Sequence, residues 1–190
     1  MRSLEEKIIA EGKILPGDIL KVGSFLNQQM DVTFIMEMGR EIAWLYRDCG
    51  VTKILTVESS GIAVAFAAAA AMGVPMVFAK KHASANMSGG AYSAPVESYT
   101  HGKTYHIVVS EEYLLPTDAV LLVDDFLAVG NALRGLLALC RQADARVVGA
   151  AVAIEKWYQQ GGDALRSEGL RIESLAKIKS LSTKDGISFC

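Results

Sequence analysis

Val120-Leu121-Leu122-Val123-Asp124-Asp125-Phe126-Leu127-Ala128-Val129-Gly130-Asn131-Ala132 is the stretch on which the fold turns. Ala119 to Val123 is a short, continuously apolar run, the pattern of a strand buried on both faces of a parallel sheet. Two adjacent carboxylates close it, and a loop of small residues then opens a helix expected over Asn131 to Gln142. That order joins two kinds of ligand group. Asp124 and Asp125 can accept hydrogen bonds from vicinal hydroxyls, while the loop N–H groups and the helix N-terminus can hold a phosphate. A phosphorylated ribose satisfies both.

Working outward, Arg146 to Ile154 reads as the next strand, which completes a βαβ unit. A second unit precedes it: Lys53 to Val57 as strand, Glu58 to Gly61 as a tight loop, Ile62 to Met72 as helix and Val74 to Ala79 as strand. Such alternation predicts an α/β fold with a parallel sheet. Ile62 to Met72 is apolar throughout, yet it falls well short of the ~20 residues that span a bilayer, so a buried helix is expected. Upstream, Ser3 to Glu11 reads as a helix stopped by Gly12, and Leu15-Pro16-Gly17-Asp18 as a turn. Asp31 is the expected N-cap of a helix carrying Phe34, Ile35, Met38, Ile42 and Leu45 at helical spacing until Gly50.

Between the two units, Lys81 to Thr100 is a polar excursion around Ser88-Gly89-Gly90, and a functional lid is expected there. His101 to Ser110 contains Tyr105-His106-Ile107-Val108-Val109, the returning strand of an antiparallel arm. Near the C-terminus, Gly161-Gly162 precedes a short helix, and Arg171 to Ile178 reads as a strand.

Composition sets bounds on this reading. The 190 residues are 51% hydrophobic and 21% charged, which fits one globular domain. A formal charge of −2 suggests no global attraction to nucleic acid or membrane, so neither is an expected partner. Cys49, Cys140 and Cys190 are odd in number and widely spaced, the pattern of a reduced compartment rather than a disulfide framework. The N-terminal residues resemble neither a secretory signal nor a transit peptide. A cytoplasmic location is therefore expected. His82, His101 and His106 share no metal-ligand spacing and receive no role, and no GxxxxGK[ST] sequence offers a Walker-type alternative.

The stretch from Val120 to Ala132 resembles the 5-phosphoribosyl 1-pyrophosphate (PRPP) motif of type I phosphoribosyltransferases. Leu15 to Val22, Asn27 to Asp31 and Ile154-Glu155-Lys156 extend that likeness toward the xanthine phosphoribosyltransferase subgroup, over nearly the whole chain. The resemblance implies a type I fold with helices on both faces of the sheet and an antiparallel flexible arm. It also implies a small hood built from about residues 1–30 and 155–190. The implied reaction is purine salvage: xanthine and PRPP give xanthosine 5′-monophosphate and pyrophosphate. Adenine or another purine is the alternative base, and a non-catalytic PRPP-sensing regulator is a further alternative. Regulators of that kind carry an extra N-terminal DNA-binding domain, whereas about thirty residues precede the helix begun by Asp31.

The resemblance also implies roles. Asp124 and Asp125 would face the ribose hydroxyls as the catalytic pair, and Ala128, Val129, Gly130, Asn131 and Ala132 would wrap the 5′-phosphate. Many relatives place hydroxyl residues in that loop. Here Val129, Asn131 and Ala132 stand instead, so backbone donors must carry more of the phosphate. Glu58, Ser59 and Ser60 would meet pyrophosphate, with Lys80 and Lys81 as cationic partners. Xanthine presents two exocyclic carbonyls, which suit the donor Lys156; Asn27 would contact the ring edge, Leu20 would offer a backbone group and Phe126 would lie on the flat base. Ala128 stands where some six-oxopurine relatives use an Asp as general base, which leaves water or pyrophosphate for that task. Mg²⁺ is expected to bind through PRPP or pyrophosphate, with no metal ligand assigned to a protein side chain. A homodimer is also implied; Phe34, Met36, Trp44 and Tyr46 are possible interface residues, with core burial as the simpler expectation.

Overall fold

A computed structural model describes residues 1–17, 19–81, 90–97 and 104–190. The chain begins with helix α1 (Arg2–Glu11), the hairpin strands β1 (Lys13–Leu15) and β2 (Ile19–Lys21), and a π-helical turn at Gly23–Asn27. Helix α2 (Val32–Leu45) follows, and Asp31 caps it by accepting a 3.1 Å hydrogen bond from the Phe34 N–H. The first βαβ unit is β3 (Lys53–Val57), α3 (Gly61–Met72) and β4 (Met76–Ala79). Strands β5 (Ala91–Glu97) and β6 (Thr104–Ser110) pair antiparallel. The second unit is β7 (Ala119–Leu127), α4 (Asn131–Gln142) and β8 (Arg146–Lys156), after which α5 (Gly161–Ser167) leads to β9 (Ile172–Ser182) and β10 (Gly186–Phe189).

Six of these strands form one sheet in the order β10-β9-β8-β7-β3-β4. All neighbouring pairs are parallel except β10 with β9. Strand β7 lies between β3 and β8, and its residues from Ala119 to Asp125 are all buried. Burial on both faces is why its sequence shows no alternation. On one face Ile54, Leu121 and Ala151 pack against Leu4 and Ile8 of α1, Met38 and Ile42 of α2, and Val64 and Ala68 of α3. On the other, Leu55, Val120 and Ala150 meet Leu133 and Leu136 of α4, Leu165 of α5, and Val96 and Ile107 of the β5–β6 pair. Helices therefore cover both faces.

The chain leaves β3 outward to β4 and returns to build β7, β8 and β9 on the other side. The strand order thus reverses between β3 and β7, so the loops after these two strands open side by side. In open parallel sheets that crevice is where ligands bind.

Several expected boundaries shift. Strand β7 does not end at Val123 but runs through the acid pair to Leu127, and β8 runs past Ile154 to Lys156. The ladder continues through Asp124↔Val152, Phe126↔Ile154 and Leu127↔Glu155, because backbone pairing does not depend on side-chain charge. Helix α2 stops at Leu45 rather than near Gly50. Of the expected lid, residues 82–89 and 98–100 lie outside the described residues, as do Asp18, His82 and His101. Its Ala91–Glu97 portion is a strand of the antiparallel arm, not a polar loop, and it buries Ala94 and Val96 against α4.

Candidate active site

The acid pair lies at the crevice. Asp124 and Asp125 are only 5% and 6% exposed. The Asp125 N–H donates to Asp124 Oδ1 at 2.9 Å. Asp125 Oδ1 accepts from Ser60 Oγ at 3.0 Å, and its Oδ2 accepts from Asn27 Nδ2 at 3.4 Å. Three residues widely separated in sequence therefore meet: Asn27 from the π-helical turn, Ser60 from the loop after β3, and Asp125 from β7. Burial and the neighbouring Asp125 carboxylate push the Asp124 carboxyl well above the usual carboxylate range, with Lys81 opposing in part.

The loop after β3 is shaped by Gly61. A Cβ there would lie 2.4 Å from Thr56 Oγ1 and 2.8 Å from Asp124 Oδ1, so only glycine lets the loop pass this close to the acid pair. The peptide bond between Glu58 and Ser59 is cis. A carboxylate oxygen of Glu58 accepts from the Lys81 N–H, while the Glu58 N–H donates to the Ala79 carbonyl at 3.0 Å. The Lys81 ammonium lies 5.3 Å from the centre of the Tyr105 ring, and Lys80 pairs through its backbone with Val108. Glu58, Ser60, Lys80 and Lys81 are thereby gathered at one end of the sheet.

After Leu127 the chain turns through Ala128 and Val129 to Gly130, whose φ of 90° is left-handed backbone that favours glycine. Helix α4 starts at the next residue, so its first N–H groups face the turn. The Asn131 amide donates to the Glu97 carbonyl at 3.1 Å, which ties the loop to the end of β5. The Asn131 side chain therefore anchors the arm. From below, Gly161 supports the loop: a Cβ there would lie 2.2 Å from the Ala128 oxygen and 2.3 Å from the Val129 carbonyl carbon.

Phe126 pairs with Ile154, two residues before Lys156, so Asp125, Phe126 and Lys156 share the C-terminal ends of two adjoining parallel strands. Phe126 is half-buried against the α1–α3 side of the core. The Leu20 side chain is buried there too, which leaves its backbone as the group available to a ligand. Phe34 and Tyr46 are also core residues rather than surface ones, and the Tyr46 hydroxyl donates to the Ala150 carbonyl at 2.7 Å. Trp44, by contrast, is 58% exposed.

The sequence reading passed over three participants: Glu155, Arg166 and Gly161. Glu155 is 1% exposed and receives two hydrogen bonds from Arg166, at 2.8 and 2.7 Å. Burial would raise its carboxyl, but the Arg166 and Ser174 hydrogen bonds outweigh that and hold it below the usual range. The Gly161-Gly162 doublet was the available signal, read only as the start of a helix. Among the described residues, no group of three or more His, Cys, Asp or Glu side chains is placed to hold a metal ion. No described helix is long and apolar enough to cross a membrane.

An acid pair at a switch point, beside a glycine-turned loop that opens a helix, defines a class, and comparison with known proteins agrees. Residues 30–173 match the phosphoribosyl transferase domain, and the chain belongs to the phosphoribosyltransferase family, which makes it a pentosyltransferase. Its similar relatives narrow the class further. The chain is 48% identical to the xanthine phosphoribosyltransferase of Lactiplantibacillus plantarum, over 95% of this chain and 92% of that protein. It is also 48% identical to the xanthine phosphoribosyltransferase of Heliobacterium modesticaldum, over 95% and 96% of the two chains. Among solved structures, the adenine phosphoribosyltransferase of Giardia lamblia complexed with 9-deazaadenine superposes with a TM-score of 0.77 at 22% identity, over 92% of this chain and 97% of that one. At that identity the likeness establishes the fold.

Proposed function

We propose that this protein transfers the 5-phosphoribosyl group of PRPP to xanthine and releases pyrophosphate, a purine-salvage reaction. The observation that carries this reading is the contact of Asn27 with Asp125, because it sets a group suited to a base edge beside a carboxylate suited to a ribose. The xanthine phosphoribosyltransferase relatives support the choice of base. The exocyclic oxygens of xanthine suit Lys156, a cationic donor at the end of β8.

In this scheme Asp124 and Asp125 accept hydrogen bonds from the 2′ and 3′ hydroxyls. The 5′-phosphate rests on the Ala128–Ala132 backbone and the start of α4. Pyrophosphate lies by Glu58, Ser59 and Ser60, with Lys80 and Lys81 offsetting its charge. Leu20, Asn27, Phe126 and Lys156 hold the base. A xanthine ring nitrogen attacks C1 of PRPP, and the C1–oxygen bond breaks with its electron pair leaving on pyrophosphate. The buried carboxylates stabilise the positive charge that develops on the ribose ring. The ring proton passes to water or pyrophosphate, since Ala128 offers no base.

Mg²⁺ is a hard cation suited to oxygen donors, and it is proposed to bind through the phosphate oxygens of PRPP and pyrophosphate, with no protein side chain assigned as its ligand. When bound through pyrophosphate, it neutralises the leaving group. The whole chain is proposed to act as one domain, with residues 1–30 and 155–190 as hood. A cytoplasmic homodimer is the proposed setting, and exposed Trp44 and Phe66, the latter 60% exposed, support an interface on α2 and α3. Sedimentation of the purified protein tests it, with a monomer at micromolar concentration counting against it. The activity is tested by turnover of PRPP and Mg²⁺ with single bases, where xanthine should be consumed fastest.

A further inference from the structure

Glu155 lies between two parts of the proposed site. It is paired with Leu127, the residue before the phosphate loop, and it precedes Lys156. A carboxylate so deeply buried is costly unless a partner of good geometry compensates it, so its presence asks for a role. Arg166 of α5 supplies a fork of two hydrogen bonds, at 2.8 and 2.7 Å, and Ser174 of β9 donates a third. Arg166 also reaches Asp163 at 3.3 Å and the Ile172 carbonyl at 3.4 Å, which fixes its own position.

Helix α5 is seven residues long, too short to be stable by itself, so its placement depends on such tertiary contacts. One end of it fits against the ion pair: a Cβ on Gly162 would lie 1.9 Å from Glu155 Oε1. Gly161 meets the backbone of Ala128 and Val129, and Leu165 lies within 3.0 Å of where a Cβ on Gly130 would stand. The helix is therefore wedged between a buried ion pair and the loop.

We propose that Glu155 and Arg166 are positioning residues, whose ion pair fixes α5 so that Gly161 and Leu165 hold the Ala128–Gly130 loop in its phosphate-binding shape. This rests on the reading of that loop as the 5′-phosphate site. Neither residue is among the groups assigned to substrate above. A loop that grips the phosphate equally in ground and transition states contributes uniform binding, and its loss raises KM without changing kcat.

The test uses full-length Arg166→Lys, Glu155→Gln and Gly161→Ala, with PRPP and xanthine varied separately and melting temperatures recorded. Arg166→Lys keeps the charge but loses the fork, Glu155→Gln keeps the shape, and Gly161→Ala moves the loop without disturbing the ion pair. Each variant that folds should show a KM for PRPP raised by about tenfold, with kcat and the KM for xanthine within about twofold of the parent. A lowered melting temperature with the KM for PRPP unchanged would mean that the pair serves stability alone, and would overturn the proposal. Parent protein that fails to turn over PRPP and xanthine would instead overturn the functional reading beneath it.

Discussion

Asp124 is a carboxylate that folding penalises. Burial and the adjacent Asp125 raise its protonation range above the ordinary value of 3.8. A raised carboxyl contributes stability that is present below the unfolded value and lost as pH rises through the folded one. At neutral pH its ionised form is therefore a cost. Asp124→Asn keeps an oxygen for the Asp125 N–H and removes that cost, so the variant should melt at a higher temperature than the parent. Its turnover should fall by about 100-fold or more, in the range seen when a group that stabilises transition-state charge is removed. Calorimetry with initial rates checks both, and a variant that is less stable yet active would contradict this account of the residue. Gly61→Ala should also lose most activity, since its methyl group would meet Thr56 and Asp124 within 3 Å. The pairing of the two acids was legible from sequence because adjacent charges at the end of an apolar strand are conspicuous. Their link to Ser60 and Asn27 was not, because no local pattern encodes contacts across 65 and 98 residues.

Elements were legible where local chemistry decides them. Strand β3 and helix α4 fall on their expected bounds, and Asp31 caps α2 as its side chain predicts. Asp31→Ala should destabilise the protein through the lost cap, and it also removes one of the two carboxylates that pair Lys7, leaving Glu11 at 3.0 Å. A drop in melting temperature of about 2–4 °C with unchanged kcat is the expected result. Elements decided by tertiary pairing were harder to see. Strand β7 continues beneath its two charges because β8 supplies the ladder, and β5 is a strand because β6 pairs along all seven residues. Its Ser, Pro and Glu content reads as loop when that partner is ignored. The short α5 shows the same limit, since its importance lies in what Gly161 touches.

At the scale of the whole molecule, the switch between β3 and β7 makes the site; the alternation of strands and helices implies the parallel sheet, whereas the strand order that creates the switch is set by tertiary pairing. Acid stability belongs to this scale as well. Glu155 is held below its ordinary value of 4.5, so the stability it contributes is present above that value and lost as pH falls through the depressed folded one. Losing the ion pair would free α5 and, with it, the floor of the Ala128–Gly130 loop. Acid titration should therefore abolish saturable PRPP binding before the central sheet unfolds, which intrinsic fluorescence and PRPP titration can follow together. The most direct test of the central claim is nucleotide and pyrophosphate formation from PRPP and Mg²⁺ with xanthine, guanine, hypoxanthine and adenine in turn. The account predicts the highest kcat/KM with xanthine, with loss of that preference in Lys156→Ala. Adenine preferred over xanthine would contradict the base pocket, and no turnover despite PRPP binding would contradict the catalytic role itself.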